Sequence, residues 1–537
     1  MANFYLRTES IKLDEILALS VLDKSDDEII EALESPEPCL VEGSRGTGKS
    51  FLMRVSELKL ENDSSKLLPV YISFNISSLI NSSDPLQFYH WMLAKTLRAL
   101  LNKLRKKGYT VSGFTANLLS NDNNETSQTV DNQLKIIVKQ FEKSYKHNEV
   151  VDVDQLPDIE DVKEAIESIC TDNDLSRIYF FFDEAAHVFR PEQQRQFFSL
   201  FKDLRSPYVT CNAAIYPGVT YFGDSFEPAH DCIYKRIDRD IRSKGYIPYF
   251  KRIVFNQADD SLKLAIEKQF SYFITIALAS GGNPRVLLKS IQDLPKFNAS
   301  SVNQLIKDFY RGQIWNEHTE LGEKYKGHKL LIDWGRDFLE KSVIPAIQNY
   351  NETRQQNNIA ESSIYFWIHK DSPETVKESL RLLNYTGIIR KIGSNIRATR
   401  SELGNRYEVK YGCIIALDGN PSNISKDFFS SLSIKKFPEF GKNHQSYESI
   451  RDLNIMIDDE DAFRVSLENM FNKPISVLTL LTEWQRQKLV DAGITTLRDL
   501  HDNTEVDLIE KIYNVGPVRS RIMKNAANAE LLEYLSG

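Results

Sequence analysis

The residues best suited to chemistry form a glycine-rich segment, Gly43-Ser44-Arg45-Gly46-Thr47-Gly48-Lys49-Ser50. Glycines permit backbone angles that side chains forbid, so successive N–H groups can point inward at phosphate oxygens. A short apolar run, Cys39 to Val41, precedes the segment, and a helix that is predicted to include Phe51 follows it. We expect Lys49 to reach the β- and γ-phosphates of a nucleotide and Ser50 to bind Mg²⁺. A chance glycine-rich turn is disfavoured by this strand-and-helix context.

Two adjacent carboxylates, Asp183 and Glu184, follow five apolar residues that run from Ile178 to Phe182. The run predicts a buried strand, and ligands bind at the carboxyl edge of open α/β sheets. We expect Asp183 to hold Mg²⁺ and Glu184 to polarise an attacking water as general base. Acids at strand ends are often only solubilising, but the glycine-rich segment favours the functional interpretation. Together the two motifs predict ATP hydrolysis.

The elements that must position these motifs alternate between strands and helices. Further apolar runs predict strands, and helical stretches separate them. The fold class predicted is α/β, a P-loop NTPase with a mostly parallel sheet covered on both faces. About a hundred residues of extra chain, near 85–175, form a helical and loop insertion. The further predicted strands are Val70–Ile76, Val209–Ile215 and Arg252–Phe255.

Three segments resemble the AAA+ ATPases, above all the origin-recognition and initiator clade: GSRGTGKS, FFFDEAAHVF and Gly281-Gly-Asn-Pro-Arg285. The related STAND signalling ATPases share much of this pattern. The resemblance covers residues 10–300 or so and identifies the first two segments with Walker A and Walker B. It implies a sheet in the order 5-1-4-3-2, a helical lid after the fifth strand, and ATP bound between core and lid.

The resemblance also implies roles for residues outside the two Walker motifs. Arg285 matches the sensor-2 arginine that reaches the γ-phosphate from the lid, the alternative being an arginine on the lid surface. Tyr216 is preferred to Asn212 as sensor 1, although a tyrosine at the core edge is equally consistent. An arginine finger for a neighbouring subunit is expected between strands four and five, where three arginines on a solvated helix face are the alternative. The candidates are Arg236, Arg239 and Arg242, and of these we expect Arg239 to be the finger.

Residues 351–417 are predicted to form a winged helix. Ile364 to Ile368 is expected to be its first packing helix, Thr375 to Tyr385 its second, and 387–392 and 406–411 its wing strands. Residues 390–410 carry six basic and two acidic residues, which is typical of phosphate contact with DNA. A winged helix used for autoinhibitory packing is the alternative. The candidate DNA contacts are Arg390, Lys391, Arg397, Arg400 and Arg406.

The C-terminal residues 471–537 resemble helix–hairpin–helix domains. In such motifs a turn like Val515-Gly516-Pro-Val-Arg519 offers backbone N–H groups to a DNA phosphate. Arg519 and Arg521 follow the turn in the right place. Residues 483–537 hold seven basic and nine acidic residues, so any DNA contact must be local. A helical domain that docks a protein partner is the alternative.

Composition limits the classes of function. The 537 residues have a net charge of −8, which argues against a polybasic DNA-wrapping protein. Five widely spaced cysteines without a C-x-x-C pair predict reduced core thiols. The start of the chain has no apolar signal segment, and no apolar stretch is long enough to cross a bilayer, which predicts a cytoplasmic protein. The predicted domains are an ATPase core (1–262), lid and connector (263–350), winged helix (351–417), mixed region (418–470) and helix–hairpin–helix-like domain (471–537).

These interpretations predict an ATP- and Mg²⁺-dependent ATPase switch that engages double-stranded DNA and forms a homo-oligomer or binds a partner protein, away from membranes. Bacterial proteins with this composite arrangement often occur near mobile-element or anti-phage genes, so a defence role is suggested by analogy. The alternative function is a STAND-like signalling scaffold that oligomerises on a protein partner without DNA.

Overall fold

A computed structural model describes most of the chain, and it divides the chain into two compact units, Met1–Ser301 and Val302–Gly537. The predicted lid and connector, 263–350, is thus shared between the two units. The residues described are 4–63, 66–74, 86–120, 126–147, 151, 153, 156–185, 191–218, 220, 222–223, 226–324, 328–359, 361–399, 401–451, 468, 470–478 and 480–535.

The first unit is built on a five-stranded parallel sheet in the order β2-β3-β4-β1-β5. Read from the other edge, this is the order 5-1-4-3-2 that the resemblance implied, so the predicted fold class is confirmed. The strands are β1 (Cys39–Glu42), β2 (Leu67–Ser73), β3 (Arg177–Asp183), β4 (Val209–Ile215) and β5 (Ile233–Arg236).

Alternate side chains of the central strands enter different apolar clusters, as a sheet covered on both faces requires. In β3, Phe180 and Phe182 pack into one cluster, whereas Tyr179 and Phe181 pack into the other. Nearly every residue of this strand is buried. The continuous apolar run in the sequence therefore reflects burial on both faces.

Helices cover the sheet and complete the unit. They are α1 (Leu13–Leu19), α2 (Lys24–Glu34), α3 (Lys49–Asp63), α4 (Gln87–Lys107), α5 (Gly113–Ser120), α6 (Ser127–His147), α7 (Ile159–Asp172), α8 (Pro191–Asp203), α9 (Pro228–Asp231), α10 (Tyr246–Phe255), α11 (Asp260–Lys268), α12 (Phe270–Ala279) and α13 (Pro284–Gln292). The predicted insertion corresponds to α4–α7, which lie between β2 and β3 in the chain and share an apolar cluster with these strands.

The prediction of a strand at Arg252–Phe255 is wrong. These residues end helix α10, whose buried side chains Tyr246, Phe250 and Val254 recur at helical spacing. The fifth strand is instead Ile233–Arg236, which carries one of the three candidate finger arginines. A four-residue apolar run cannot by itself distinguish a buried strand from one face of a helix.

In the second unit, helices precede a four-stranded sheet in the order β7-β8-β6-β9. The predicted first packing helix, Ile364 to Ile368, is wrong, because Tyr365–His369 forms the fully buried strand β6. The helix Glu374–Thr386 and the antiparallel pair β7 and β8 occupy the positions predicted for the second helix and the wing strands. The strands are β6, β7 (Ile389–Arg397), β8 (Leu403–Val409) and β9 (Glu439–Phe440).

The helices of the second unit include a separate C-terminal group with its own apolar cluster, which holds Leu489, Leu508 and Met523. α14 (Ala299–Asp308) continues from the first unit. The others are α15 (Ile314–Lys324), α16 (Lys329–Phe338), α17 (Ile344–Gln356), α18 (Glu374–Thr386), α19 (Tyr411–Ile415), α20 (Pro421–Ser430), α21 (Glu448–Arg451), α22 (Glu483–Asp491), α23 (Leu497–Asp502), α24 (Glu505–Lys511) and α25 (Pro517–Leu535).

Two absences predicted from composition concern the described part of the chain. None of its helices combines the length and the apolar character that a membrane crossing needs. The five cysteines form no disulfide, and four of them are buried, with Cys232 partly exposed.

Candidate nucleotide site

The glycine-rich segment forms a loop between β1 and α3. The N–H of Gly43 donates to the carbonyl of Ile215 on β4, which ties the start of the loop to the sheet. Gly46 and Gly48 have φ angles of 86° and 106°, values that side chains disfavour. The Thr47 hydroxyl donates to the Ser44 carbonyl across the loop. The two glycines are therefore needed for the backbone conformation that a phosphate-binding loop requires.

Lys49, in the first turn of α3, is buried inside this loop. Its ammonium group donates to the carbonyls of Gly43 and Ser44 and lies 3.9 Å from the centre of the Tyr216 ring. Burial lowers the pKa of Lys49 to about 7, and the negative charge of Asp183 offsets part of this effect. The ammonium group is thus held where an anion would pair with it.

The two carboxylates lie at the end of β3, as predicted. The buried side chain of Asp183 accepts hydrogen bonds from the hydroxyl of Tyr71 on β2 and from the N–H of Glu184. Tyr71 was not predicted as a site residue; its position on the neighbouring strand was the available signal. The guanidinium of Arg54 stacks on the Tyr71 ring at 3.3 Å.

Glu184 has two unusual features. Its φ angle is 59°, in the left-handed region that residues other than glycine rarely occupy. Its Oε2 atom is buried and accepts no hydrogen bond from any residue that the structure describes. Burial raises the pKa of Glu184, and the charge of Asp183 raises it further. An oxygen held in this way is ready to accept a proton from a bound molecule.

These groups converge on one cavity of about 280 Å³. Lys49, Glu184, Tyr216 and Arg285 all line it, together with the loop from Arg45 to Phe51. Ser50 also lines an adjoining cavity of about 230 Å³, and there it is joined by Asp183. The structure therefore brings the glycine-rich loop and the strand-end acids together.

The two candidates for sensor 1 have different surroundings. Tyr216 is buried directly after β4 and faces the cavity beside Lys49. The amide of Asn212 is used inside the core, where its oxygen accepts from the N–H of Cys39 and its nitrogen donates to the carbonyl of Leu33. Tyr216 therefore lies where a sensor 1 residue could act, and its assignment stays a prediction.

The predicted lid reaches the loop through the turn that begins α13. Asn283 caps this helix by accepting from the Val286 N–H, and its side-chain nitrogen donates to the carbonyl of Arg45 at 2.8 Å. Arg285 lines the cavity, and its Nε donates to the carbonyl of Leu6. Asn283 was missed from the sequence, although an Asn-Pro pair at a predicted helix start is a capping signal.

The N-terminal segment also forms part of the site and was not predicted. Leu6 to Glu9 line the cavity, and Glu9 also lines the adjoining one. The N–H of Tyr5 donates to the side-chain oxygen of Gln257 at 3.0 Å. No pattern in the first ten residues indicated this position, because the contacts join residues far apart in the chain.

The assignment of Arg239 as an arginine finger needs correction. Its guanidinium is buried in its own subunit, where it pairs with Asp26 at 2.7 Å and donates to the carbonyl of Thr47. A finger must be presented to a neighbouring subunit, whereas this guanidinium is engaged inside its own. The other two candidates also have ion-pair partners in their own chain: Arg236 pairs with Glu42, and Arg242 with Asp240.

The residues present fit a magnesium-bound nucleoside triphosphate. Two left-handed glycines shape the loop, a buried ammonium lies within it, and a buried carboxylate oxygen lacks a partner among the described residues. Ser50 and Asp183, which line one cavity, supply the oxygen donors that Mg²⁺ prefers. The sheet order and this loop define a P-loop NTPase fold.

Several candidate DNA contacts of the β7–β8 hairpin are engaged within the second unit. Arg390 pairs with Glu408 at 2.8 Å, and Arg406 donates to the carbonyl of Ile434. Lys391 lies in β7, and Arg397 at its end is exposed. Arg400 lies outside the described residues.

The candidate DNA contacts of the C-terminal helices are likewise engaged. Arg521 pairs with Glu505 at 3.1 Å. Arg519 donates to the carbonyl of Asn514 and stacks on the Trp484 ring at 4.8 Å. Gly516 lies in the turn between α24 and α25. Of these candidate contacts, Arg390 and Arg521 each pair with an acidic residue of their own unit.

Comparison with known proteins gives limited likenesses. No protein-family model matches the chain, and no curated protein does. Among solved structures, Orc1 from Aeropyrum pernix in complex with DNA is 12% identical, with a TM-score of 0.32, over 77% of this chain and 98% of that one. A RuvB variant from Thermotoga maritima is 13% identical, with a TM-score of 0.26, over 71% and 90%. These TM-scores are low, so the fold assignment rests on the strand order and the loop.

Proposed function

We propose that the first unit binds Mg-ATP and hydrolyses it. The observation that carries this proposal is that Lys49 and Glu184 line one cavity with the glycine-rich loop. Ser50 and Asp183 would hold Mg²⁺, which supplies positive charge that stabilises the developing negative charge on phosphate oxygens. Lys49 adds a second positive charge, and the loop N–H groups add oriented dipoles.

Glu184 would act as the general base. Its unpartnered Oε2 can accept a proton from a water molecule, and its raised pKa makes it a stronger base than an exposed glutamate. Tyr71 would keep the Asp183 carboxylate oriented through its hydroxyl hydrogen bond. Tyr216, beside Lys49, would complete the wall of the phosphate pocket.

Arg285 would make the lid responsive to the nucleotide. It belongs to the first turn of α13, and its Nε is already engaged by the Leu6 carbonyl, so the two terminal nitrogens can turn toward a γ-phosphate. Contact with ATP but not with ADP would favour one lid position over another. Hydrolysis would then release that position, which makes the unit a switch.

The test compares ATP binding with turnover in three variants. Glu184→Gln should keep ATP binding and lower the turnover rate about 10²- to 10⁴-fold, the usual contribution of a general base. Lys49→Ala should lose both ATP binding and turnover. Glu37→Gln, which changes an exposed carboxyl before the start of β1, is the matched control and should behave as wild type. Unchanged hydrolysis in Lys49→Ala would refute the assignment of the site.

The second unit is proposed to engage double-stranded DNA through the β7–β8 hairpin and the turn at Gly516. The exposed Arg397 and the basic excess of residues 390–410 support this proposal. Filter binding with duplex DNA over a salt series should show an affinity that falls steeply as salt rises. Arg397→Ala should weaken binding, whereas Arg354→Ala, whose side chain pairs with Glu361, should not. An absent or salt-insensitive signal, with and without ATP, would contradict the DNA proposal.

The second candidate function is a STAND-like scaffold that oligomerises on a protein partner. Exposed apolar side chains on the C-terminal helices and the turn between α24 and α25 favour it, among them Tyr513 at 81%, Val518 at 67% and Val506 at 61% exposure. DNA offers little for such side chains to pack against. Light scattering with ATP and without DNA would reveal ATP-dependent assembly, and a monomer under all conditions would contradict this candidate. A defence role rests on analogy under either function.

A further inference from the structure

A buried hydrogen-bonded cluster adjoins the phosphate-binding loop, and two of its members, Arg239 and Tyr249, line the candidate nucleotide cavity. The Arg239 side chain is 8% exposed, and its Nη2 donates to Asp26 at 2.7 Å and to the Tyr249 hydroxyl at 2.8 Å. The Tyr249 hydroxyl in turn donates to the other oxygen of Asp26 at 2.8 Å. The three side chains therefore form a closed ring of hydrogen bonds.

The same arginine holds the loop backbone. Its Nη1 donates to the carbonyl of Thr47 at 2.8 Å. Because a trans peptide is planar, the N–H of Gly48 points away from that carbonyl and thus away from Arg239. Asn283 fixes the carbonyl of Arg45 in the same manner, which directs the N–H of Gly46. The two held carbonyls thus set the directions of the Gly46 and Gly48 N–H groups.

The cluster also joins the loop to the lid. Tyr249 belongs to α10, which directly precedes the predicted lid, whereas Asp26 belongs to α2. The lid turn packs tightly on Arg239, because a Cβ added to Gly282 would come within 2.9 Å of the Arg239 carbonyl oxygen. Arg239 thus touches α2, the loop and the lid at once.

We propose that Arg239 is a positioning residue that couples the lid to the phosphate-binding loop through Asp26 and Tyr249. It acts in its own subunit and does not contact the nucleotide of a neighbour. The inference rests on the proposed ATP site and adds a regulatory connection to it. Movement of the lid changes the restraint on the Thr47 carbonyl, and the shape of the loop sets nucleotide affinity.

The central experiment uses Arg239→Lys. A lysine keeps a positive charge beside Asp26, but one ammonium cannot reproduce the planar fork that reaches three acceptors. We expect the Kd for Mg-ATP to rise about tenfold or more, in line with the loss of a hydrogen bond to a charged group. The single-turnover rate of bound ATP should change less than about twofold. Arg242→Lys, whose partner is the partly exposed Asp240, is the matched control and should leave both quantities unchanged.

Tyr249→Phe provides a second, milder variant, since it removes one hydroxyl and keeps the ring. Amide hydrogen exchange of the nucleotide-free protein should become faster at residues 46–49 in both variants. This measurement needs no ATP. It can therefore contradict the proposed coupling while ATP hydrolysis is confirmed, or support the coupling while ATP hydrolysis is not found. Wild-type exchange and wild-type Kd in Arg239→Lys would overturn the inference.

A mixing experiment separates positioning from an arginine finger. Lys49→Ala subunits cannot bind ATP but still carry Arg239, so they could supply a finger to an Arg239→Lys neighbour. We expect the mixture to show no more hydrolysis than the sum of its parts. Restored hydrolysis in the mixture would overturn the inference and reinstate the finger.

Discussion

The buried ammonium of Lys49 leads to a quantitative prediction for the pH dependence of ATP binding. Burial lowers the pKa of Lys49 to about 7, so above that pH most nucleotide-free molecules carry a neutral amine. Phosphates favour the charged amine, so binding above that pH requires the uptake of a proton. Each pH unit then costs about 1.4 kcal/mol, or a factor of about ten in affinity. We expect the Kd for Mg-ATP to rise about tenfold between about pH 7.5 and about pH 8.5.

Isothermal titration calorimetry in buffers with different heats of ionisation measures this proton uptake directly. Close to one proton per ATP should be taken up at the upper end of the range. Lys49→Arg is the control, because a guanidinium keeps its charge throughout the range and should give no uptake. A wild-type Kd that is flat over this range, with no proton uptake, would refute the reasoning about the buried amine.

Three further substitutions test packing. Gly46→Ala places a Cβ 2.8 Å from the Asn283 side-chain oxygen at a φ of 86°, so ATP should no longer raise the melting temperature; a wild-type thermal shift would contradict this. Gly404→Ala forces a Cβ into the Trp367 ring and should lower the free energy of unfolding in urea by about 1–3 kcal/mol. An unchanged free energy would show that β6 shifts freely to admit the added methyl group. Phe181→Ala should cost about 3–5 kcal/mol in the same assay, and a loss below about 1 kcal/mol would show that the site collapses.

The parts of the site that the sequence could predict are local in the chain. The glycine-rich segment and the Asp183-Glu184 pair each combine an apolar strand with the residues that immediately follow it, so both element and chemistry can be inferred together. The strand order is not local. It followed from the family resemblance, and the structure bears it out.

What could not be predicted depends on distant partners or on ambiguous short runs. Arg239 pairs with Asp26, 213 positions away, so its role could not be inferred from three arginines on one segment. The runs 252–255 and 364–368 were assigned to the wrong element, because four or five apolar residues suit either a buried strand or a buried helix turn. Pairing in the sheet and packing against neighbours decide between them.

The left-handed backbone at Glu184 has a consequence for selection in the laboratory. Such a conformation costs a residue with a Cβ on the order of 1 kcal/mol or more, a cost that glycine avoids and asparagine reduces. A screen that rewards heat resistance alone should therefore enrich Glu184→Gly and Glu184→Asn, and the survivors would be sturdier proteins that no longer turn over ATP. At this one residue, thermal stability and catalysis favour different side chains.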